Sequence, residues 1–491
     1  MKGIPPVLTA VLFVLIFFRA AAMSMTWDES YTVCTYAADF AKIFSPADFF
    51  PNNHIPHTLL VGIMFQLFPY QEWAMRLPAA LAGCGVVLLL WKIGQTFFAH
   101  SKYKNFNTLF LIAIVSLHPL VFQFLSFARG YSAALFFSLL GFYLLIQRAE
   151  NAVSRPLLYA GLSFGFSVAF NLSAALFNTA LILSFFFLET IHGRFQLRDV
   201  PKFLLFFCLS GGAVVLFFYA PILLSVPPGQ FNYASDSLFT GILDMSVWTL
   251  GTSNVIPNEA MTRLLCGVPV SDEMFFLAAV LLPVIAVVLL TAGLTACLRS
   301  DSDARPAAVT ALAVTLYIVL LVILGISGIV MFPKDRTGIL PLAYLMMLPV
   351  FVRNYAENKP VQRVLTAGIV LVLLHFGSLF AFPYYHNFWY ADCDVRTIMK
   401  QADTIFKEHQ PPKRVVCLFL NETAVQFYKA KYAIDDVEYL AVHQLDELEK
   451  ILKKPGSTLL IMPEEVLALK TDKYRVLYRN RYTGVALLQP L

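Results

Sequence analysis

Residues Ile4 to Glu29 read IPPVLTAVLFVLIFFRAAAMSMTWDE, an almost unbroken apolar run that ends in the adjacent acidic pair Asp28-Glu29. A run of about 20 apolar residues is long enough to cross a bilayer as a helix. Two neighbouring carboxylates are too costly to hold in hydrocarbon, so they belong at the membrane-water boundary where that helix stops. Lys2 and the small residues Ala20-Ala21-Ala22 also fit the outline of a secretory signal. An uncleaved anchor is the preferred reading, and in both cases Asp28 emerges on the far side of the membrane.

Working outward, the 491 residues are 58% apolar and only 14% charged, where soluble domains carry about a quarter of charged residues. The expected fold is a polytopic α-helical membrane protein, not a soluble globule. A net charge of +5 forms no basic tract, and no nucleic-acid partner is expected. Apolar runs near 4–23, 76–98, 106–122, 131–147, 157–171, 174–190, 202–224, 273–297, 307–331, 337–352 and 362–381 give about eleven transmembrane helices.

With the N-terminus inside, the stretches around His100–Lys104, Arg148–Arg155, His192–Lys202, Arg299–Arg305 and Arg353–Arg363 become inside loops. Each carries at least two Lys or Arg, as the positive-inside rule requires. The opposite connections are poorer in unpaired basic residues. His57–Pro69, HTLLVGIMFQLFP, is too short to span, so it reads as an interfacial helix within an external loop, residues 24–75. A second external loop covers residues 226–272.

From about residue 386 the apolar runs shrink to strand length. Segments at 414–420, 437–442, 457–462 and 474–478 read as strands with amphipathic helices between them. Two domains are expected: 1–385 in the membrane and 386–491 as a soluble α/β domain on the external, periplasmic side. No G-x-G-x-x-G or Walker loop is present. The seven cysteines show no metal-ligand spacing. Cys84, Cys208 and Cys297 read as core residues, and a disulfide among Cys34, Cys266, Cys393 and Cys417 is left open.

The expected external face gathers polar groups from distant parts of the chain: Asp28 and Glu29, then Asn52, Asn53, His54 and His57 in PNNHIPH, then Glu72 and Arg76 in EWAMRLPAALAG. Arg129 in SFARGYS and Lys334, Asp335 and Arg336 in FPKDRTG follow. A carboxylate among cations suits transfer to a hydroxyl: the acid takes the proton, and the cations stabilise a departing phosphate. Each residue has a plainer reading beside that one. Arg76 at a helix start reads equally as a snorkelling anchor, Asp335 as the partner of Lys334 or Arg336, His57 as an orienting group for the interfacial helix, and Asp28-Glu29 as a helix N-cap.

Trp27-Asp28-Glu29 after the first span, Pro51-Asn52-Asn53-His54-Ile55-Pro56-His57 before an apolar helix, Arg76-Leu77-Pro78-Ala79-Ala80 and Ala128-Arg129-Gly130-Tyr131 together resemble the GT-C glycosyltransferases. Within that superfamily the chain most resembles the protein O-mannosyltransferase and lipid A aminoarabinose transferase branch. The resemblance covers roughly the first 150 residues well and the remainder in architecture only. It implies a bacterial cytoplasmic-membrane enzyme that takes a sugar from a polyprenyl-phosphate donor, inverting the anomeric centre, and passes it to a lipid, glycan or protein hydroxyl. It implies Asp28 as the catalytic aspartate with Glu29 beside it. His54, His57, Arg129, Lys334 and Arg336 become donor-phosphate groups, and Asn53, Arg76 and Asp335 weaker substrate contacts. His54 stands where relatives carry a phosphate-binding lysine, and a histidine is charged only part of the time near neutral pH.

No cofactor or metal site is assigned, and a divalent metal is left open; it would need more oxygen ligands than Asp28 and Glu29 supply. Two rivals remain: a secondary transporter or lipid flippase, which would place ionisable groups near mid-membrane, and an O-antigen polymerase or ligase.

Overall fold

The computed structural model describes residues 3–50, 52–148, 155–225, 241, 272–298, 303–328, 330, 332–333, 335–379, 394–407, 413–418, 422–434, 437–442, 457–462, 474–479 and 486–490. Lys334, nearly all of loop 226–272, the stretch around the expected boundary at 386, Cys266 and Cys393 therefore lie outside the described residues. Among the described cysteines, Cys34, Cys84, Cys208, Cys297 and Cys417, no disulfide joins any two.

The fold is mostly helical. Helix α1 (Ile4–Ala22) opens on Pro5 and Pro6, where a proline's fixed φ suits the first turn and its missing N–H costs nothing. A short α2 (Trp27–Tyr31) runs into one π-turn, Thr32–Ala37, and then α3 (Phe40–Ile43). Helix α4 (Ile55–Leu67) has 13 residues, about 20 Å at 1.5 Å per residue, well short of the ~30 Å hydrocarbon core. It packs on the π-turn and on α5 (Glu72–Phe97).

The other apolar runs are helical too. The run at 106–122 is broken: α6 (Lys104–Ser116) stops, and His118 caps α7 (Pro119–Phe124), because Pro119 cannot continue the preceding helix. Next come α8 (Tyr131–Arg148), α9 (Arg155–Phe170) and α10 (Ala174–Ile191). Among the described residues six helices are long and apolar enough to cross a membrane: Ile4–Ala22, Glu72–Phe97, Ala174–Ile191, Arg305–Ile326, Arg336–Tyr355 and Lys359–Gly377. Tyr131–Gln147, Leu157–Phe170 and Leu209–Ser225 are apolar but shorter.

Outward-facing positions such as Val14, Phe217 and Leu224 remain exposed, the pattern of a surface wetted by lipid. Inside, α9 lies so close to the 209–225 helix that a Cβ on Gly165 would stand 2.6 Å from the Gly211 carbonyl, a small-residue contact of the kind that packs membrane helices. The bundle interior also holds a neutral hydrogen-bonded set. Ser138 donates to Asn178 at 2.7 Å and lies 3.2 Å from the Tyr344 hydroxyl, and Asn178 donates to Ser167 at 2.9 Å. With every member paired, this set ties α8, α9, α10 and the helix Ile339–Tyr355 together without a buried charge.

At one end of the bundle sit Arg305 and Arg194 around Glu189 and, separately, Arg353 bonded to Asn107 and Thr366. These belong to the loops read as basic. The acidic pair lies toward the other end of the Ile339–Tyr355 helix: Arg336, just before that helix, stands 3.4 Å from Asp28, while Arg353 lies in its last turn.

The tail contains a five-stranded sheet of order β2-β1-β3-β5-β4, made of β1 (Lys413–Leu418), β2 (Val437–Val442), β3 (Ser457–Met462), β4 (Tyr474–Arg479) and β5 (Ala486–Pro490). The pairs β1–β2 and β1–β3 are parallel, while β5 pairs antiparallel with both β3 and β4. The fifth strand, ALLQP, was not among the strands expected. Helix Val395–Lys407 buries Val395, Ile398, Met399, Ala402 and Phe406, one face at helical spacing.

Candidate active site at the acidic end of the bundle

The site begins with a helix cap. Thr26 caps α2: its hydroxyl accepts from the Glu29 N–H at 3.3 Å, and the Glu29 carboxylate accepts from the Thr26 N–H at 3.0 Å. This is a reciprocal capping box, spelled Thr-x-x-Glu in the sequence. The cap is therefore Thr26, not the Asp28-Glu29 pair, and the box fixes where both carboxylates point.

Glu29 faces inward onto Arg76, and both side chains are fully buried. Arg76 Nε and Nη2 donate to the two carboxylate oxygens at 2.7 and 2.6 Å, and the Ala128 N–H adds a further bond at 2.7 Å. Burial alone would raise the Glu29 carboxyl, but the Arg76 charge and these donors offset it and hold the group below its ordinary range. Arg76 also donates to the Ala20, Met23 and Ser24 carbonyls at 3.2, 2.7 and 2.6 Å. These are the backbone acceptors that a helix C-terminus leaves over. The pair is closed on both sides and ties α1, α2, α5 and the turn before α8 into one knot.

Asp28 is treated differently. It is 2% exposed, and its Oδ2 accepts no hydrogen bond. Two guanidinium groups stand near that oxygen, Arg336 Nη2 at 3.4 Å and Arg129 Nη2 at 3.9 Å. The backbone under Asp28 is held firmly: its carbonyl accepts from the Thr32 hydroxyl at 2.9 Å and the Asn52 amide at 3.2 Å.

Arg129 is anchored by the Asn52 carbonyl at 2.8 Å, by Thr32 at 3.4 Å and by His54 Nε2 at 2.8 Å. The other His54 nitrogen, Nδ1, donates to the Phe170 carbonyl at 2.8 Å, which fixes one neutral tautomer with its lone pair aimed at Arg129. Burial and the Arg129 charge push the His54 ring well below its ordinary value. His57 is buried, and the same two causes lower it to about 3, against the opposing pull of the Ala128 backbone and the Glu29 charge. Gly130 lets these pieces meet: a Cβ there would lie 2.0 Å from the Phe170 carbonyl, so only glycine allows the backbone to approach this closely.

The structure thus brings Asp28, Arg129, Arg336 and His54 together. Asn53 is spent elsewhere, donating to the Ile43 carbonyl at 2.9 Å. Asp335 and Arg336 form a short 3-10 turn, Asp335–Gly338; the Asp335 side chain lies outside the described residues, with Lys334. Thr26, Thr32 and the fixing roles of Asn52 were missed from sequence, although the Thr-x-x-Glu box was there to be read. Among the described residues no group of three or more His, Cys, Asp or Glu side chains could hold a metal ion.

Chemically, the arrangement offers one buried carboxylate oxygen with free lone pairs, flanked by two permanent cations, beside a second carboxylate that is wholly engaged.

No protein-family model matches the chain, and no curated protein matches it in sequence. Among solved structures it is similar to ArnT from Cupriavidus metallidurans in the apo state, at 12% identity and TM-score 0.45 over 99% of this chain and 98% of that one. It is also similar to the same protein bound to undecaprenyl phosphate, at 13% identity and TM-score 0.40 over the same shares of the two chains.

Proposed function

We propose that the chain is a membrane glycosyltransferase that uses a polyprenyl-phosphate-linked sugar, with Asp28 as general base at the outer face of the membrane. One observation carries this reading: Asp28 Oδ2 is buried and unbonded between Arg129 and Arg336. A base needs a free lone pair, and a leaving phosphate needs fixed positive charge; both lie within 4 Å of one oxygen.

In this mechanism an acceptor hydroxyl gives its proton to Asp28 as its oxygen attacks the anomeric carbon. The bond from that carbon to the phosphate oxygen breaks, and its electron pair leaves with the polyprenyl phosphate, which Arg129 and Arg336 neutralise. Attack opposite to the leaving group inverts the anomeric centre. Glu29 and Arg76 hold the frame and touch neither reactant. His54, neutral and bonded to Arg129, orients that guanidinium and does not itself contact the phosphate. Lys334, two residues before Arg336 in the sequence, is a third candidate phosphate contact. The acceptor is a lipid, glycan or protein hydroxyl.

Mass spectrometry of envelope lipids and glycans from a deletion strain tests the reading. Loss of one sugar modification and accumulation of its polyprenyl-phosphate donor are expected. An unchanged glycome, together with proton- or sodium-driven flux in vesicles lacking any sugar donor, would replace the enzyme by a transporter.

A further inference from the structure

We infer that the C-terminal α/β region is a clamp on the Asp28 loop, with Tyr428 and Thr423 as positioning residues for the base; this rests on the reading of Asp28 as that base.

The short link from α1 to α2 runs through Met23–Thr26 and carries several buried backbone groups that its own helices leave without partners. Its inner side is satisfied by Arg76, as described. Its outer side is satisfied from about four hundred residues away, by the tail. The Met25 N–H donates to the Tyr428 hydroxyl at 2.8 Å, and the Thr423 hydroxyl donates to the Trp27 carbonyl at 2.8 Å. Arg396 donates through its guanidinium to the Ala21 and Ala22 carbonyls at the end of α1, and its N–H donates to the Ser24 hydroxyl at 3.3 Å. Thr423 and Tyr428 lie on one helix, Glu422–Lys431, whose last residue pairs with Glu72 at the start of α5.

Apolar packing makes the same connection. Met25, Val33, Ala37, Ala74 and Met75 share one buried cluster with Ile398, Met399, Val425, Phe427 and Tyr428 of the tail. The tail therefore does not hang beside the bundle. It grips the chain at the first and the third residue before Asp28, the element whose placement between Arg129 and Arg336 matters most. A displacement of ~1 Å at a reacting group costs on the order of a hundredfold in rate.

The test uses the full-length protein carrying Tyr428→Phe with Thr423→Val, which keeps the ring and the side-chain volumes and removes both hydrogen bonds. Hydrogen exchange of the 25–31 segment is read first. The clamp predicts exchange at least about tenfold faster there, with the sheet and α5 unchanged. Unchanged exchange in this segment overturns the clamp whatever the chemistry of Asp28 proves to be. Turnover with a polyprenyl-phosphate sugar is read second. A fall in kcat of about ten- to a hundredfold is expected, with KM for the donor within about twofold and partial rescue by Thr423→Ser. A raised KM at constant kcat would make the tail a substrate-binding surface and contradict the proposal. Lys407→Ala, on an exposed face of the tail, should leave both readouts at wild type. If the double variant fails to fold, Tyr428→Phe alone decides by the same two readouts.

Discussion

Asp28 and Glu29 are neighbours in sequence, equally buried, and surrounded in opposite ways. Around Glu29 each carboxylate oxygen and the bonded Arg76 nitrogens are consumed within the knot that joins α1, α2 and α5. Around Asp28 the backbone is fixed while the outer oxygen is left unbonded, between two cations at 3.4 and 3.9 Å. A buried ion pair is worth keeping when removing one partner strands the other. An unbonded buried carboxylate oxygen is worth keeping when something else is meant to bond it. The first region is closed on every side, and the second keeps one oxygen open, as the proposed base requires.

The largest effect expected from breaking this contrast is on chemistry. Asp28→Asn should lower sugar transfer by about 10²–10⁴-fold, the range of a lost general base. On the other side of the contrast, Glu29→Gln or Arg76→Met should lower stability by about 3–5 kcal/mol, because each leaves an uncompensated buried charge. Thermal melting in detergent reads this directly, and an unchanged melting temperature would dissolve the distinction between the two acids. Gly130→Ala forces a Cβ against the Phe170 carbonyl at 2.0 Å. It should cost about 1–3 kcal/mol and pull His54 away from its Phe170 acceptor, so transfer should fall along with melting temperature.

The smallest effect is on pH dependence. An unfolded histidine takes up a proton as pH falls through about 6.5, whereas folded His57 stays neutral down to about 3. Within that window the unfolded state binds the extra proton. The stability contribution is thus fully present above 6.5 and is lost as pH falls, by up to ~1.4 kcal/mol per pH unit. His57→Gln should flatten the fall in melting temperature between pH 6.5 and pH 4.5, and parallel curves for the two proteins would contradict the burial argument. His54 contributes in the same direction.

The helices, the shortness of α4 and four of the five strands were legible in the sequence, because apolar run length and hydrophobic period depend on neighbours along the chain. The convergence of Asp28, Arg129 and Arg336 was legible through topology alone: loops of one parity must share a face. What sequence could not supply was the division of labour. Asp28 and Glu29 look interchangeable until the Thr26 capping box fixes their directions. His54 looks like a phosphate ligand until the Phe170 carbonyl and Arg129 occupy its two nitrogens. The partners Tyr428, Thr423 and Arg396 carry no motif and are set by a contact between opposite ends of the chain. ALLQP was missed because a short strand at the end of a chain offers little period to detect.

In the proposed mechanism the adjacent acids hold separate roles, one for proton transfer and one for structure. It is tested most directly by comparing purified Asp28→Asn and Glu29→Gln proteins for release of polyprenyl phosphate from its sugar conjugate and for thermal melting. Asp28→Asn should lose transfer by at least a hundredfold while melting close to wild type and still binding polyprenyl phosphate. Glu29→Gln should melt several degrees lower, with its residual folded fraction still turning over. Wild-type transfer by Asp28→Asn would contradict it.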